Sequence, residues 1–259
     1  MNIRPLHQSV RPSPVFLVIV AITVAGGVLA WLAAESVRPL AYVGVFTFVV
    51  AGWLVSLCLH EFGHAYTAWR FGDHDVAMRG YLTLNPLKYS SPLLSLGLPL
   101  LFIALGGIGL PGGAVYVRTA FMTPRQRTLV SLAGPAANLL LAVVLLAAVR
   151  AFYDPGHGVF WSAVAFLGFL QITALLLNLL PIPGLDGYGA LEPHLSPETQ
   201  RAVAPAKQFG FLFLIVLLLA PALNQWFFSV VFWFFDLSGV PAPLASIGAQ
   251  LTRFWSAWA

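Results

Sequence analysis

The stretch LCLHEFGHAYTAWRFG, residues 57–72, decides how the rest of the sequence is interpreted. Its first residues end a run of twenty positions, 40–59, without a charged side chain, and His60, Glu61 and His64 follow within five positions. An ionisable side chain at the centre of a membrane helix costs about 2.5–3.5 kcal/mol on insertion scales. Three such groups therefore need a compensating partner, and the remaining sequence must show what that partner is.

The composition is typical of a membrane protein. Of the 259 residues, 8% are charged and 59% are hydrophobic, and the mean hydropathy is +0.86. About 20 helical residues cover a hydrocarbon core of about 30 Å. Five runs without a charged side chain reach this length and predict membrane helices: 14–34, 40–59, 128–149, 159–180 and 209–235.

A further run, 91–117, is long enough to span but contains three prolines and six glycines. Irregular backbone at membrane depth is tolerated where it is buried in protein or lines a cavity. We therefore predict an all-α membrane protein, a polytopic bundle of about five to six membrane helices. The run 91–117 is predicted to be a re-entrant or membrane-associated segment between the helix that carries His60 and the helix that carries Asn138.

The organisation predicts a single membrane-embedded domain, 1–259. The longest polar stretch between the uncharged runs is little more than twenty residues. The core would lie at about 40–191, with an additional membrane segment at about 209–235. Pro221, Asn224 and Gln225 interrupt this last segment, which is either one kinked span or a short hairpin. The basic residues are scattered through short loops, which argues against a nucleic-acid partner. The lipid bilayer is the expected environment.

His60, Glu61 and His64 form an HExxH pattern with a specific chemistry. Two histidines four residues apart in a helix point to the same side and can bind one cation. In such sites zinc lowers the pKa of its water to about 7 and the glutamate accepts the proton. Catalytic zinc has three protein ligands and one open position, so a third ligand is required.

Asp186, in the stretch NLLPIPGLDGYG, is the preferred candidate for the third ligand. It follows an uncharged run, 159–185, and the prolines and glycines around it end the helix and present a short carboxylate at the membrane edge. Asp73 and Asp75 are alternatives that can reach back from the end of the motif helix. The other acidic candidates, Glu192 and Glu198, are interpreted as solvated loop charges.

Two asparagines are candidate contacts to the substrate or the transition state. Asn138 lies in the stretch SLAGPAANLLLA, and Asn178 lies just before the predicted end of its helix. An intramembrane amide seeks a hydrogen-bond partner, so a purely structural role is the alternative for both. The same alternative holds for Gln171 and Thr173.

The distribution of basic residues predicts the orientation. Lys and Arg in short loops favour the cytoplasmic side. If the amino terminus is inside and 91–117 does not cross, Asp186 returns to the level of His60 and His64. Ten of the thirteen basic residues are then cytoplasmic, and the active site faces that side. The three exceptions are Arg38, Arg150 and Arg253.

Four motifs together resemble the site-2 protease family of intramembrane zinc metalloproteases, in order and in spacing, over roughly 55–191. They are HEFGH, LNPL at 84–87, AGPAAN at 133–138 and NLLPIPGLDG at 178–187. One departure is LDGYG, where many relatives have LDGG, so Tyr188 adds bulk beside the site. The linker of about eight residues after the AGPAAN helix has no room for a PDZ domain, which is expected of a compact form.

The resemblance implies one Zn²⁺ per chain, held by His60, His64 and Asp186, with Glu61 as the catalytic base. It implies a zinc-dependent endopeptidase that cleaves membrane-spanning protein substrates in a bacterial or archaeal cell membrane. One rival is a metal-ion transporter, which would place polar groups at several depths. The other rival is a catalytically silent membrane binding protein. The sequence leaves the natural substrate and the oligomeric state open.

Overall fold

The computed structural model of the protein describes residues 10–33, 38–89 and 115–257, and the regular structure among these residues is entirely helical. Four of its helices are long and apolar enough to cross a membrane, which confirms the prediction of an all-α membrane protein. The ten α-helices of the described residues are α1 Pro14–Leu32, α2 Arg38–Arg70, α3 Asp75–Met78, α4 Pro124–Phe152, α5 Gly158–Leu179, α6 Asp186–Leu191, α7 Pro197–Val203, α8 Gly210–Leu219, α9 Pro221–Asp236 and α10 Ala242–Thr252.

Two of the long helices begin at well-formed caps. The Ser13 side chain accepts a hydrogen bond from the Phe16 backbone N–H at the start of α1. At the start of α4, Thr123 and Gln126 form a reciprocal capping box, with the Thr123 hydroxyl and the Gln126 amide each accepting from the other's backbone N–H. Such caps satisfy backbone donors that the helix itself leaves unpaired. The capping box therefore fixes where α4 begins, two turns before Val130, whose carbonyl contacts His64 of α2.

Helix α5 is the centre of the bundle. It packs against α1, α2, α4 and α10, and 83% of its apolar stretch is buried, compared with 28% for α1. A helix buried on all sides needs apolar residues around its whole circumference. This explains why the run 159–180 shows no polar face in the sequence.

Helices α2 and α5 are parallel, and α4 runs antiparallel to α2. Gln171 of α5 donates to the hydroxyl of Ser56 in α2, and one turn earlier in both helices Leu167 packs on Gly52. In α4 the order is reversed, because Asn138 contacts His60 whereas Val130 contacts His64. The carboxyl-terminal ends of α2 and α5 therefore lie at the same end of the bundle.

The predicted membrane run 209–235 does not form one helix. It is divided into α8 and α9 at Ala220, whose backbone is extended with φ −77° and ψ 113°. Pro221 follows, and a proline disfavours the helical conformation of the preceding residue. Of the five to six predicted membrane helices, four are therefore unbroken helices of spanning length in the described residues. Residues 91–114 of the predicted re-entrant segment lie outside the described part of the chain.

Close packing of α1 on α2 gives a test of the fold. A Cβ atom on Gly44 would lie 2.6 Å from the Ala30 backbone nitrogen, so we expect Gly44→Ala to lower the free energy of unfolding by about 1–3 kcal/mol. Gly158→Ala is the matched control, since no atom of the described residues lies within 4 Å of its added Cβ. Thermal unfolding in detergent measures both, and equal stability of the two variants would contradict the packing of α1 on α2.

Candidate metal centre

The structure brings together three of the predicted ligands, His60 and His64 from α2 and Asp186 from the start of α6. The Nε2 atoms of the two histidines are 3.1 Å apart. The carboxylate oxygens of Asp186 lie 3.3 Å from His60 Nε2 and 3.4 Å from His64 Nε2. Three potential ligand atoms, one from each residue, thus lie within 4.8 Å of one another. Their function as metal ligands stays a prediction, but the geometry is that of a three-ligand site.

The opposite ring nitrogens of the histidines have protein partners of their own. His64 Nδ1 lies 2.7 Å from the backbone carbonyl oxygen of Val130, and His60 Nδ1 lies 2.6 Å from Oδ1 of Asn138. A carbonyl oxygen only accepts, so His64 Nδ1 must carry the proton and donate it. In the neutral ring, His64 Nε2 then presents a lone pair toward Asp186.

This arrangement fits a divalent cation. Oδ2 of Asp186 is buried and makes no hydrogen bond within the described part of the chain. An anionic oxygen beside imidazole lone pairs is unfavourable unless a positive charge lies between them. Nitrogen and oxygen ligands of this kind suit zinc.

Gly134 of α4 leaves the space that such an ion needs. A Cβ atom at this position would lie 2.6 Å from His60 Nε2 and would also collide with His64 Nε2. A Cβ atom on Gly63 of α2 would lie 2.7 Å from the Ala133 carbonyl oxygen. The backbones of α2 and α4 therefore approach closely beside the site, as small residues permit. The stretch SLAGPAANLLLA alone does not connect Gly134 with the metal.

Glu61 is buried beside the histidines, on the same helix. Its Oε2 accepts a hydrogen bond of 3.0 Å from the backbone N–H of Val115. Val115 lies in a stretch without helical structure, 115–119, which also contacts the turn after α2: the Arg118 N–H donates to Asp73 Oδ2 at 2.7 Å. The chain thus orients the Glu61 carboxylate with a backbone donor that the sequence analysis did not identify.

The alternative acidic ligands have other partners. Asp73 accepts from the Arg118 backbone, and Asp75 forms an ion pair of 2.6 Å with the Arg118 guanidinium. Glu192 forms an ion pair of 2.6 Å with Lys207. None of these three belongs to the three-residue cluster of possible ligands that the structure forms in its described part, which leaves Asp186 as the acidic member.

The two asparagines occupy different places. Asn138 lies on the Nδ1 side of His60, where its Oδ1 contacts the ring and its Nδ2 donates to Gln171 Oε1 at 2.8 Å. Asn178 is buried in the last turn of α5. For both residues a contact to the transition state stays a prediction. Tyr188, two residues after Asp186, is buried as well, and Lys207 Nζ lies 5.7 Å from the centre of its ring.

Fold and site together are those of a helical membrane protein whose predicted ligands match those of a metalloprotease. The comparisons with known proteins agree. The profile of "Peptidase family M50" matches residues 48–154. The protein named "Putative zinc metalloprotease Rip2" of Mycolicibacterium smegmatis is 74% identical over 100% of both chains. Its namesake in Mycobacterium tuberculosis H37Rv is 72% identical over 97% of each chain.

A more distant relative extends the similarity beyond the mycobacteria. "Putative zinc metalloprotease YwhC" of Bacillus subtilis is 34% identical over 67% of this chain and 81% of its own length. No solved structure matches the chain. The chain belongs to peptidase family M50, the site-2 protease family, which confirms the resemblance seen in the motifs and the expectation of a metalloprotease.

The space at Gly134 can be tested through metal content. We expect Gly134→Ala to lose metal, because the added methyl group would enter the space between the two Nε2 atoms. Ala136→Ser is the matched control, since Ala136 is exposed two residues further along α4. Elemental analysis of purified protein measures both variants. A wild-type metal content in Gly134→Ala would contradict the location of the site.

Proposed function

We propose that the chain is a zinc-dependent intramembrane endopeptidase that cleaves the membrane-spanning segments of other membrane proteins. The observation that carries the proposal is the convergence of His60, His64 and Asp186 at one end of two parallel helices of membrane-spanning length. The names of the M50 relatives support zinc as the metal. One zinc ion per chain, in a single membrane-embedded domain, is the simplest composition of such an enzyme.

In this proposal Nε2 of His60, Nε2 of His64 and the carboxylate of Asp186 hold the metal. When bound, zinc polarises the carbonyl of the scissile bond and lowers the pKa of a water molecule. Glu61 takes the proton of the attacking water and returns it to the leaving nitrogen, and each of these transfers requires hydrogen-bond reach. Its hydrogen bond from Val115 holds the carboxylate in one orientation before substrate arrives.

The depth of the site follows from the length of α2. His60 lies 22 residues after Arg38, which corresponds to about 33 Å along a helix. The hydrocarbon core is about 30 Å thick, so this distance places the site near its far boundary. Water can reach such a position, whereas the centre of the bilayer would exclude it. A substrate helix must unwind locally here, because its carbonyl groups are otherwise hydrogen-bonded within the helix.

The basic residues support an active site that faces the cytoplasm. Arg70 ends α2, and Arg118 lies beside Asp73 and Asp75 at the same end of the bundle. Arg125 and Arg127 lie in the first turn of α4, which begins at this end. By the positive-inside rule this end is cytoplasmic. The chain would therefore cut its substrates near the cytoplasmic surface of a bacterial membrane.

The role of Glu61 separates an active protease from a silent relative. We expect Glu61→Gln to keep its zinc but to lose cleavage of a co-expressed single-span reporter by about 10²-fold or more, because the amide cannot accept the proton. Glu198→Gln, an exposed change on α7, is the control and should cleave normally. Wild-type cleavage by Glu61→Gln would refute the mechanism, and cleavage by neither the wild type nor the control would favour a binding protein.

The role of Asp186 is tested by binding. The variant Asp186→Asn keeps the shape of the side chain but loses the negative charge, so we expect weaker zinc binding and a reduced zinc content after purification. Asp154→Asn, an exposed change in the linker before α5, is the control. Full zinc occupancy of Asp186→Asn after dialysis against a chelator would show that this carboxylate is not a ligand.

A further inference from the structure

A chain of buried polar side chains connects three helices behind His60. It contains Ser56 of α2, Gln171 of α5 and Asn138 of α4, which are 3%, 0% and 3% exposed. Polar side chains inside a membrane bundle are held by hydrogen bonds to one another or to the backbone. The catalytic steps proposed above use none of these three residues directly, so their burial within the bundle needs a separate reason.

The contacts form an unbroken series. The Ser56 hydroxyl lies 2.8 Å from the Gly52 carbonyl oxygen and 3.0 Å from that of Trp53. The Gln171 Nε2 lies 2.9 Å from Ser56 Oγ, and the Asn138 Nδ2 lies 2.8 Å from Gln171 Oε1. Asn138 Oδ1 then lies 2.6 Å from His60 Nδ1. The series ends at the ring that faces Asp186.

The direction of every hydrogen bond in the series follows from its first member. The backbone carbonyl groups beside Ser56 can only accept, so the Ser56 hydroxyl must donate to them and its oxygen accepts from Gln171. The nitrogen of the Gln171 amide thus donates to Ser56, and its oxygen accepts from the Asn138 NH₂ group. The oxygen of Asn138 consequently faces His60, and His60 Nδ1 must carry the proton.

We propose that Gln171 is a positioning residue, which acts through Asn138 to keep the proton of His60 on Nδ1 and the lone pair on the Nε2 that faces Asp186. This inference rests on the proposed function in one respect, namely that His60 Nε2 binds zinc. A histidine ligand must present a lone pair to the metal, and the hydrogen bond at its other nitrogen sets which nitrogen is free.

The two histidines differ in how this choice is enforced. The Nδ1 proton of His64 is fixed by the Val130 backbone carbonyl, which has no donor to offer. The partner of His60 is an amide, which can rotate by half a turn and present its NH₂ group instead. Without Gln171, such a rotation would let Asn138 donate to His60 Nδ1 and would move the ring proton to Nε2. His60 is therefore the ligand whose state depends on its surroundings.

The substitution Gln171→Leu removes the acceptor for the Asn138 NH₂ group and leaves a similar volume. Mutation of the residues that hydrogen-bond to metal-binding histidines typically lowers metal affinity by about 10- to 100-fold. We expect Gln171→Leu to raise the dissociation constant for zinc by about this factor. Ser56→Ala should weaken binding less, because Gln171 can still accept from Asn138.

A conservative substitution distinguishes orientation from packing. In Gln171→Glu, burial favours the neutral acid, whose carbonyl oxygen accepts from Asn138 while its hydroxyl donates to Ser56. We expect this variant to keep the wild-type zinc affinity within about threefold, because it reproduces both hydrogen bonds. Thr173→Val is the matched control, since the Thr173 hydroxyl is fully buried on the same helix and, among the described residues, bonds to the Phe169 carbonyl alone.

The experiment uses the purified full-length chain in detergent and measures zinc affinity by competition with a chromogenic chelator. Weak binding in Gln171→Leu, together with near-normal binding in Gln171→Glu and Thr173→Val, supports the inference. Wild-type affinity in Gln171→Leu overturns it. If Gln171→Leu does not fold, the other two variants decide. Weak zinc binding by Gln171→Glu then overturns the inference. A modest loss of zinc affinity in Ser56→Ala, together with normal affinity in Gln171→Glu, supports it.

Failure of the proposed function gives a different result in the same experiment. If the wild-type chain binds no zinc, or if Asp186→Asn binds it as tightly as the wild type, the metal site itself is wrong. If the wild type binds zinc and loses it in Asp186→Asn but not in Gln171→Leu, only the positioning role is wrong.

Discussion

Two imidazole nitrogens and a carboxylate face one another at the end of the membrane bundle, in a space that is largely closed to solvent. The repulsion among these electron-rich atoms is the constraint that the rest of the structure must satisfy. Electron-rich atoms at 3.1–3.4 Å repel one another unless a proton or a metal ion lies between them. The Val130 carbonyl holds the His64 proton on the far side of the ring. A cation therefore explains the burial of these groups better than protein contacts alone.

The helix arrangement serves this convergence. Parallel packing of α2 and α5 brings the histidines and Asp186 to the same end, although 122 positions separate His64 from Asp186 in the sequence. Antiparallel α4 packs against both helices and contributes Gly134 for space, Val130 for one ring and Asn138 for the other. Each helix thus makes a contribution to the site that depends on its direction and not only on its residues.

The sequence predicted those features that depend on local patterns. Uncharged runs indicated the four long helices, the HExxH spacing indicated the histidine pair, and the prolines before Asp186 indicated a carboxylate released from its helix. The break at Ala220 has a local cause in Pro221, yet the sequence left open whether this run forms one span. Helix α2 is longer than the predicted run 40–59, mainly because HEFGHAYTAWR continues the helix to Arg70.

The roles of Gln171 and Ser56 were beyond the reach of local patterns. Each is a single polar residue in an apolar run, which is equally typical of a helix contact without function. Their pairing requires that α2 and α5 be parallel and in register, although 115 positions separate the two residues in the sequence. The direction of their hydrogen bond depends on the Gly52 carbonyl, which can only accept from Ser56. Long-range register of this kind follows from the packing of the whole bundle.

X-ray absorption spectroscopy at the zinc edge, on the purified full-length chain, tests the central claim most directly. The account predicts one bound zinc with nitrogen and oxygen neighbours at about 2.0–2.2 Å, two of them imidazoles. Absence of zinc from folded protein, or a sulfur neighbour at about 2.3 Å that would implicate Cys58, would contradict it.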